Sequence, residues 1–258
     1  MDSVIIAGGN PKQDDLLYPL AGDVPKALLQ ISGKPMIQWV VDALNESKTV
    51  DRIVIVGLDS NSSIHCEKPI SFIPDQGSML DNIRGGIKEV SNISPQAEHA
   101  LLLSADIPGI TGEMVDWTVN TALETNHDLY YSIVTRDVME SLFPSSKRSF
   151  VRLKDIDVCG GDMNLFRISM VTGRDDLWNK LIASRKNALK QASLIGFDTL
   201  LLLLLRQLTL EQLVKTVTRR FNINGRAVLS PFAEVAMDVD KPFQFDILNT
   251  YLEQKTSG

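Results

Sequence analysis

Short apolar runs alternate with segments of helical period along the first half of the chain. The runs are VIIA at 4–7, RIVIVG at 52–57, ISFIP at 70–74 and ALLLSAD at 100–106. The segments that begin at Met36, Met79 and Glu113 repeat their apolar residues at helical spacing. Because the runs are apolar throughout rather than at every second position, they are typical of parallel strands covered on both faces. The pattern predicts an α/β fold with a doubly wound, mostly parallel, Rossmann-like sheet.

The second half of the chain carries fewer strands and more helices. The predicted strands lie at 128–136, 164–170, 225–231 and 233–240, and 143–163 is predicted to be a loop with a short strand. Between 175 and 221 helical segments follow one another, and Thr209 with Gln212 forms a capping-box start for the last of them. A final helix closes the chain. We expect a single domain over 1–258, with a helical insertion at 174–224.

Composition narrows the classes of partner. A net charge of -6 and a pI near 5.1 argue against a general affinity for nucleic acid or for an anionic membrane surface. The run Leu200–Leu205 is far shorter than the ~20 apolar residues of a spanning helix, and no basic leader precedes the first strand. Cys66 and Cys159 show no metal-ligand spacing. We therefore expect a cytoplasmic protein with free thiols, no membrane span and no nucleic-acid partner.

The loop after the first strand is the first candidate for ligand binding. In an open α/β sheet, ligands lie beyond the carboxyl ends of the strands, and Gly8 and Gly9 lie there. Two glycines let the backbone approach a phosphate and turn its N–H groups towards it. They also suit a tight turn that needs only positive φ angles. The glycine pair alone leaves both interpretations open.

Three short motifs, taken together, resemble a known family. Ala7-Gly8-Gly9, Pro25-Lys26-Ala27-Leu28 and Gly33-Lys34-Pro35-Met36 resemble the N-terminal signature of the MobA-like NTP transferases. These enzymes include the molybdenum-cofactor guanylyl- and cytidylyltransferases and are similar to the sugar-1-phosphate nucleotidyltransferases, with the fold of the nucleotide-diphospho-sugar transferases. The resemblance implies that the loop of Ala7, Gly8 and Gly9 wraps a triphosphate and that Lys26 contacts phosphate.

The same loop departs from the family pattern. In the family, a short loop of small residues leads to an Arg that holds the triphosphate, whereas this loop runs GGNPKQDDLLYPLAGDVPK and has no Arg. Lys12 is the only cation in the loop before Lys26. Either Lys12 takes the place of the Arg, or triphosphate binding is weaker, because Lys offers a point charge where Arg offers a fork of donors.

Two acidic segments predict a metal site. The run ALLLSAD ends at Asp106, and the resemblance implies that Asp106 is a ligand of Mg²⁺, a cation that prefers oxygen ligands and bridges them to phosphates. The alternative is a turn-forming or capping Asp before Pro108. The segment AMDVDKPF is similar to the closing motif of the family, which makes Asp238 the second metal ligand. Asp240 lies on the same side of the predicted strand and is also a candidate cap of the closing helix.

The segment PDQGSMLDNIRGGI matches the part of the family that lies under the base and the ribose. The resemblance implies this role for Gly77, Ser78, Asn82 and Gly86. A turn followed by a helix cap explains Gly77 and Ser78 equally well.

Two segments are candidates for binding the acceptor. In CGGDMNLFR, the residues Gly160, Gly161 and Asn164 hold the place of the family's acceptor loop. In the helical insertion, Arg185 and Lys186 belong to a basic concentration that either presents cations to a phosphorylated acceptor or is a solvated helix face. The Leu-rich helices after this basic segment are compatible with three roles. They could support the insertion, form a homodimer surface, or form an apolar groove for a lipid-like acceptor.

The motifs in this order predict a Mg²⁺-dependent nucleotidyltransferase that moves an NMP from an NTP to a phosphorylated acceptor and releases pyrophosphate. One alternative is a nucleotide-sugar-dependent glycosyltransferase of related fold, although such an enzyme is expected to carry a close pair of acids where SADIP offers one. A second alternative is a non-catalytic, NTP-binding regulatory protein, which the missing loop Arg favours.

Overall fold

The computed structural model describes residues 1–9, 13–184 and 196–256. Its strands, in chain order, are β1 (Asp2–Ile6), β2 (Gln30–Ile31), β3 (Lys34–Pro35), β4 (Arg52–Val56), β5 (Ile70–Ile73), β6 (His99–Ser104), β7 (Leu129–Thr135), β8 (Val151–Arg152), β9 (Asp157–Gly160), β10 (Met163–Arg167) and β11 (Gly225–Ser230). Strands β2 and β3 form a small antiparallel pair, and the other strands join one sheet.

Helices cover that sheet and fill most of the second half of the chain. They are α1 (Tyr18–Ala21), α2 (Met36–Glu46), α3 (Met79–Ile93), α4 (Gly112–Leu123), α5 (Arg136–Leu142), α6 (Ile168–Thr172), α7 (Asp175–Ser184), α8 (Phe197–Leu204), α9 (Leu210–Phe221) and α10 (Pro242–Thr256), with short 3-10 helices at Lys26–Leu28 and Ala233–Ala236. Within the described ranges, no helix has both the length and the apolar character needed to cross a membrane.

The main sheet is mostly parallel and is covered on both faces. Its order is β5-β4-β1-β6-β10-β7-β9-β8, and β11 pairs with β7. Strands β1, β4, β5 and β6 are mutually parallel, as are β7 and β11, whereas β9 and β10 run antiparallel to their neighbours. Ile5 packs among residues of α2 and α4 on one face, and Val4 packs among residues of α3 on the other. The predicted fold class is therefore confirmed.

The parallel arrangement brings distant segments to one edge of the sheet. Strands β1 and β6 are neighbours, and the N–H of Ala105 donates to the carbonyl of Ile6 at 3.0 Å. The loops that carry Gly8 and Asp106 therefore leave the sheet side by side. The N–H of Val239 donates to the carbonyl of Asp106 at 3.0 Å. That bond attaches the acidic segment near the end of the chain to the same edge.

Helix α3 packs on β1 through a glycine. A Cβ atom at Gly86 would lie 2.3 Å from Cγ1 of Val4, so this position has no room for a side chain. The helix begins at Ser78, whose side chain accepts a hydrogen bond from the N–H of Asp81. Close packing at Gly86 thus fixes where the first turn of α3 lies relative to the loop after β1.

Two predicted strand ends and one predicted strand were wrong. The strand expected at 164–170 ends at Arg167 and continues as α6, and the strand expected at 128–136 ends at Thr135, which caps α5. The segment expected as a strand at 233–240 forms a 3-10 helix and an irregular stretch. Ala233–Ala236 are all buried, so this segment does not alternate between faces, and Pro231 separates it from β11.

The predicted helical region contains α7, α8 and α9 within its described residues. The capping box at the start of α9 is confirmed, because the Thr209 side chain accepts from the N–H of Gln212 and the Gln212 side chain accepts from the N–H of Thr209. Helix α9 lies near β7 and β11. The division into one domain with an insertion at 174–224 stays a prediction.

Candidate active site

A cavity of about 280 Å³ opens at the carboxyl edge of β1 and β6. Its lining includes the first predicted metal ligand and, apart from Gly86, every described residue predicted to bind the nucleotide, namely Ala7, Gly8, Gly9, Lys26, Gly77, Ser78, Asn82 and Asp106. Lys12 falls outside the described residues. Gly86 does not line the cavity, because it packs against β1.

Lys34, from the third N-terminal motif, also lies away from the cavity. Its ammonium group pairs with Asp42 and lies 3.8 Å from the centre of the Trp39 ring. Lys34 therefore contacts side chains of α2 and takes no part in lining the cavity.

Close contacts with side-chain and backbone atoms shape the glycine loop. A Cβ atom at Gly8 would lie 2.5 Å from Nδ2 of Asn82, and one at Gly57 would lie 2.2 Å from Cα of Gly8. Gly9 has a φ angle of 112° and open space where a Cβ would be. Gly8 is therefore needed for close approach, whereas Gly9 is needed for its backbone conformation.

The first turn of α3 forms the opposite wall. The Asn82 side chain is buried, and its Oδ1 accepts from the N–H of Gln76 at 2.6 Å. Asn82 thus ties the 75–77 loop to the helix while its Nδ2 faces Gly8. Ser78 caps α3 and also lines the cavity. The two sequence interpretations of Ser78, cap and cavity wall, are compatible.

Three carboxylates converge beside this cavity. Oxygen atoms of Asp106, Asp238 and Asp240 lie within 4.8 Å of one another. The hydroxyl of Ser104 donates to Oδ1 of Asp106 and orients it. The irregular backbone after the 3-10 helix, rather than the predicted strand, brings Asp238 and Asp240 to this place.

Lys26 bridges two of these carboxylates. Its Nζ lies 2.6 Å from Oδ2 of Asp106 and 2.6 Å from Oδ1 of Asp240. Burial lowers the pKa of Lys26, but the charges and hydrogen bonds of Asp106 and Asp240 outweigh that effect, and the pKa is raised. Lys26 is therefore a permanent cation at the point where the cavity meets the acidic cluster.

Sequence reasoning missed two charged residues of the site. Nη1 of Arg148 pairs with Asp238, and its Nη2 lies 3.4 Å from the carbonyl oxygen of Gly160. The Nε of Arg148 is buried and has no hydrogen-bond partner. Burial, followed by the charge of Asp106, raises the pKa of Asp162 to about 7. Asp162 lies inside the quoted motif CGGDMNLFR, whereas nothing in the sequence around Arg148 signals its position.

Of the residues predicted to bind the acceptor, some lie beside the charged groups of the site and others are engaged elsewhere. Gly160 lies next to Arg148 through its carbonyl group, and Gly161 packs against Val235. The side chain of Asn164 accepts from the N–H of Ser132 at 2.9 Å and donates to the carbonyl of Gly161 at 3.2 Å, so its amide is engaged with backbone. The predicted Arg185 and Lys186 lie outside the described residues.

Known proteins resemble this chain in sequence and in fold. A hypothetical transferase from Thermus thermophilus has a solved structure that superposes with a TM-score of 0.81 at 30% identity, covering 95% of this chain and 100% of that one. The 2-C-methyl-D-erythritol 4-phosphate cytidylyltransferase of Idiomarina loihiensis is 20% identical over 62% of this chain, and the match spans only 59% of that protein.

A probable molybdenum cofactor guanylyltransferase from Thermococcus gammatolerans is 23% identical over 62% of this chain and 84% of that protein. The family model of the MobA-like NTP transferase domain matches residues 3–176. This range runs from the second residue of β1 to beyond α6 and contains the glycine loop, Lys26 and Asp106. The match covers well over half of the chain and includes the cavity described above. The chain therefore belongs to the MobA-like NTP transferase family.

Proposed function

We propose that the protein is a Mg²⁺-dependent nucleotidyltransferase that moves an NMP from an NTP to a phosphorylated acceptor and releases pyrophosphate. One observation carries the proposal: the carboxylates of Asp106, Asp238 and Asp240 meet Lys26 at the end of a glycine-lined cavity. The names of the relatives, a cytidylyltransferase and a guanylyltransferase, support the same class of reaction.

The residues of the acidic cluster fit a hard divalent cation. Three carboxylates offer oxygen atoms close enough to share one ion, and oxygen is the ligand that Mg²⁺ prefers. The cations Lys26 and Arg148 neutralise these three carboxylates only in part, and Asp162 adds a further carboxyl group nearby. The excess of negative charge matches a divalent ion. When bound, Mg²⁺ would neutralise negative charge on the departing pyrophosphate.

The chain's own residues would hold the NTP in place. The backbone N–H groups of Gly8 and Gly9 would face the phosphates, and the ammonium of Lys26 would bind a phosphate oxygen. Ser78 and Asn82 would form the wall against the nucleoside, since they line the other side of the cavity. The partly exposed guanidinium of Arg148, which lies beside Asp238 and the carbonyl group of Gly160, would bind the acceptor phosphate.

The transfer itself needs no proton abstraction. An oxygen of the acceptor phosphate would form a bond to the α-phosphorus while the bond from that phosphorus to the bridging oxygen breaks. The electron pair of the broken bond leaves with pyrophosphate. Because a phosphomonoester oxygen is already anionic at neutral pH, positioning and charge neutralisation suffice.

The test is pyrophosphate release from each of the four NTPs, with Mg²⁺ or with EDTA, across a panel of phosphomonoesters. We expect release with one NTP and one acceptor class, abolished by EDTA and lowered about 100-fold or more in Asp106→Asn. Asp246→Asn, an exposed acid on α10, is the matched control and should retain full activity. Release that persists in EDTA, or that is equal in Asp106→Asn and Asp246→Asn, would contradict the proposal.

A further inference from the structure

The amphipathic helix α9 packs only partly on the protein: Leu210 and Leu213 contact a small buried cluster, and a cavity lies beside them. Its apolar residues Leu213, Val214 and Val217 share one face, yet no residue of α9 is buried. A cavity of about 380 Å³ lies between part of that face and the strands β7 and β11. Protein interiors are packed closely, and an empty space of this size forfeits contacts along both of its walls. Its volume lies in the range of sites for small ligands.

The lining of this cavity offers almost no free polar group. The Thr218 hydroxyl donates to backbone carbonyls of its own helix, and the Arg226 guanidinium is engaged with the carbonyl of Thr121. The thiol of Cys159 also donates to a backbone carbonyl. The hydroxyls of a sugar would lose their hydrogen bonds to water here without replacement, which is costly. A hydrocarbon chain would lose nothing and would gain contacts.

One end of the cavity borders the acidic cluster. Gly160 lines the cavity, and its carbonyl group lies at the guanidinium of Arg148, which pairs with Asp238. The hydroxyl of Tyr131 lies against Gly160 on the cavity side, where a Cβ atom on Gly160 would be 2.4 Å from it. Burial, and then the charge of Asp162, raises the pKa of that hydroxyl. Gly160 and Tyr131 therefore form a border between the apolar cavity and the charged groups of the site.

We propose that the cavity under α9 holds the apolar chain of the acceptor, which makes the acceptor a phosphomonoester with a hydrocarbon or isoprenoid tail. The phosphate would lie at the guanidinium of Arg148, beside the carbonyl group of Gly160 at the border of the cavity. The tail would pass Tyr131 into the space between β7 and Val217. This inference rests on the proposed function, because it names the class of acceptor that the transfer would use.

Binding of alkyl phosphates to the full chain tests the proposal without any NTP. Titration calorimetry with butyl, hexyl, octyl and decyl phosphate, each below its micellar concentration, should give an affinity that rises about fourfold per added methylene until the cavity is full. Alkyl alcohols of the same length should bind more weakly, because they lack the group that Arg148 binds. An affinity that does not change with chain length would overturn the proposal.

Two substitutions at one position give opposite expectations. Val217→Phe fills the cavity and should make the affinity level off at a shorter chain, whereas Val217→Ala enlarges it and should move that limit to a longer chain. Thermal unfolding and NTP binding serve to verify that both variants are folded. Equal chain-length profiles in the two variants would refute the site. A dimer in sedimentation that Val217→Phe dissociates would also refute it, because a second copy would then cover this face.

The experiment separates failure of this inference from failure of the proposed function. Chain-length-dependent binding without pyrophosphate release from any NTP would support the apolar site and contradict the transfer reaction. Pyrophosphate release with short phosphates, combined with flat binding profiles, would support the transfer reaction and contradict the apolar acceptor.

Discussion

Replacing Gly86 by Ala should destabilise the protein, whereas the same change at Gly85, one residue earlier in α3, should stabilise it. Both positions lie in the helix interior, where Ala is favoured over Gly by about 1 kcal/mol. The two differ in what the added methyl group meets. The pair therefore isolates the contact between α3 and β1 from the helix propensity that both changes share.

The distances set the expected magnitudes. At Gly86, the Cβ would lie 2.3 Å from Cγ1 of Val4 and 3.0 Å from Cγ2 of Val56, both in fully buried side chains of the sheet. Overpacking costs about 1–3 kcal/mol, and a contact as short as 2.3 Å places the cost at the upper end of that range. After the helix-propensity gain of about 1 kcal/mol is subtracted, Gly86→Ala should lower the free energy of unfolding by up to about 2 kcal/mol. At Gly85 the nearest atom belongs to the exposed side chain of Gln76, which can rotate. Gly85→Ala should raise the free energy of unfolding by up to about 1 kcal/mol.

Urea unfolding of the two variants and the parent protein measures these changes as shifts of the midpoint at constant slope. Gly86→Ala should also weaken NTP binding, since a displaced α3 carries Ser78 and Asn82 away from the cavity. Equal shifts of the same sign in both variants would refute the reasoning, because helix propensity alone would then explain them.

Three further predictions concern charged groups. Lys26→Met should lower kcat/KM by about 100-fold, while Lys34→Met, which removes a cation outside the cavity, should change it little; steady-state kinetics distinguishes the two. The pKa of Asp162 in the folded protein, about 7, lies above the usual 3.8 of the carboxyl group. Between these two pH values the metal-free folded protein therefore binds one more proton at this residue than the unfolded chain does. Its free energy of unfolding accordingly falls as the pH rises from 3.8 to about 7. Asp162→Asn should remove that loss and stabilise the protein in EDTA above neutral pH by about 2–4 kcal/mol, as urea unfolding on both sides of the window would reveal. Tyr251→Phe deletes the donor to the buried carboxylate of Glu234 and should lower the free energy of unfolding by about 1–3 kcal/mol, again measured in urea.

The sequence predicts those parts of the fold in which local pattern and tertiary contact agree. The four apolar runs that form β1, β4, β5 and β6 alternate with segments of helical period, so the parallel part of the sheet follows from the sequence. The segment 233–240 does not follow, because AEVAMDVD has the composition of a strand but its first four residues are all buried in a 3-10 helix. Burial of successive residues, a tertiary property, overrides the local pattern there.

The candidate site likewise contains residues that the sequence predicts and residues that only the folded structure reveals. Gly8, Lys26 and Asp106 follow strands or lie in motifs, and the topology of a parallel sheet brings such residues to one edge. Arg148 comes from the stretch 143–150, which has no period, and it reaches Asp238 across 90 residues of sequence. Only the folded chain reveals such a contact. Asp162 was visible in its motif, but its raised pKa depends on burial and on Asp106.

The fate of the phosphates of the NTP tests the central claim most directly. NTP labelled at the α-phosphorus, or separately at the γ-phosphorus, is incubated with Mg²⁺ and an acceptor that supports turnover, and the products are separated. The proposed transfer predicts that the α label enters the acceptor product and that the γ label leaves as pyrophosphate. A γ label found in the acceptor or in inorganic phosphate would contradict the claim, because the bond broken would then lie between the β- and γ-phosphorus.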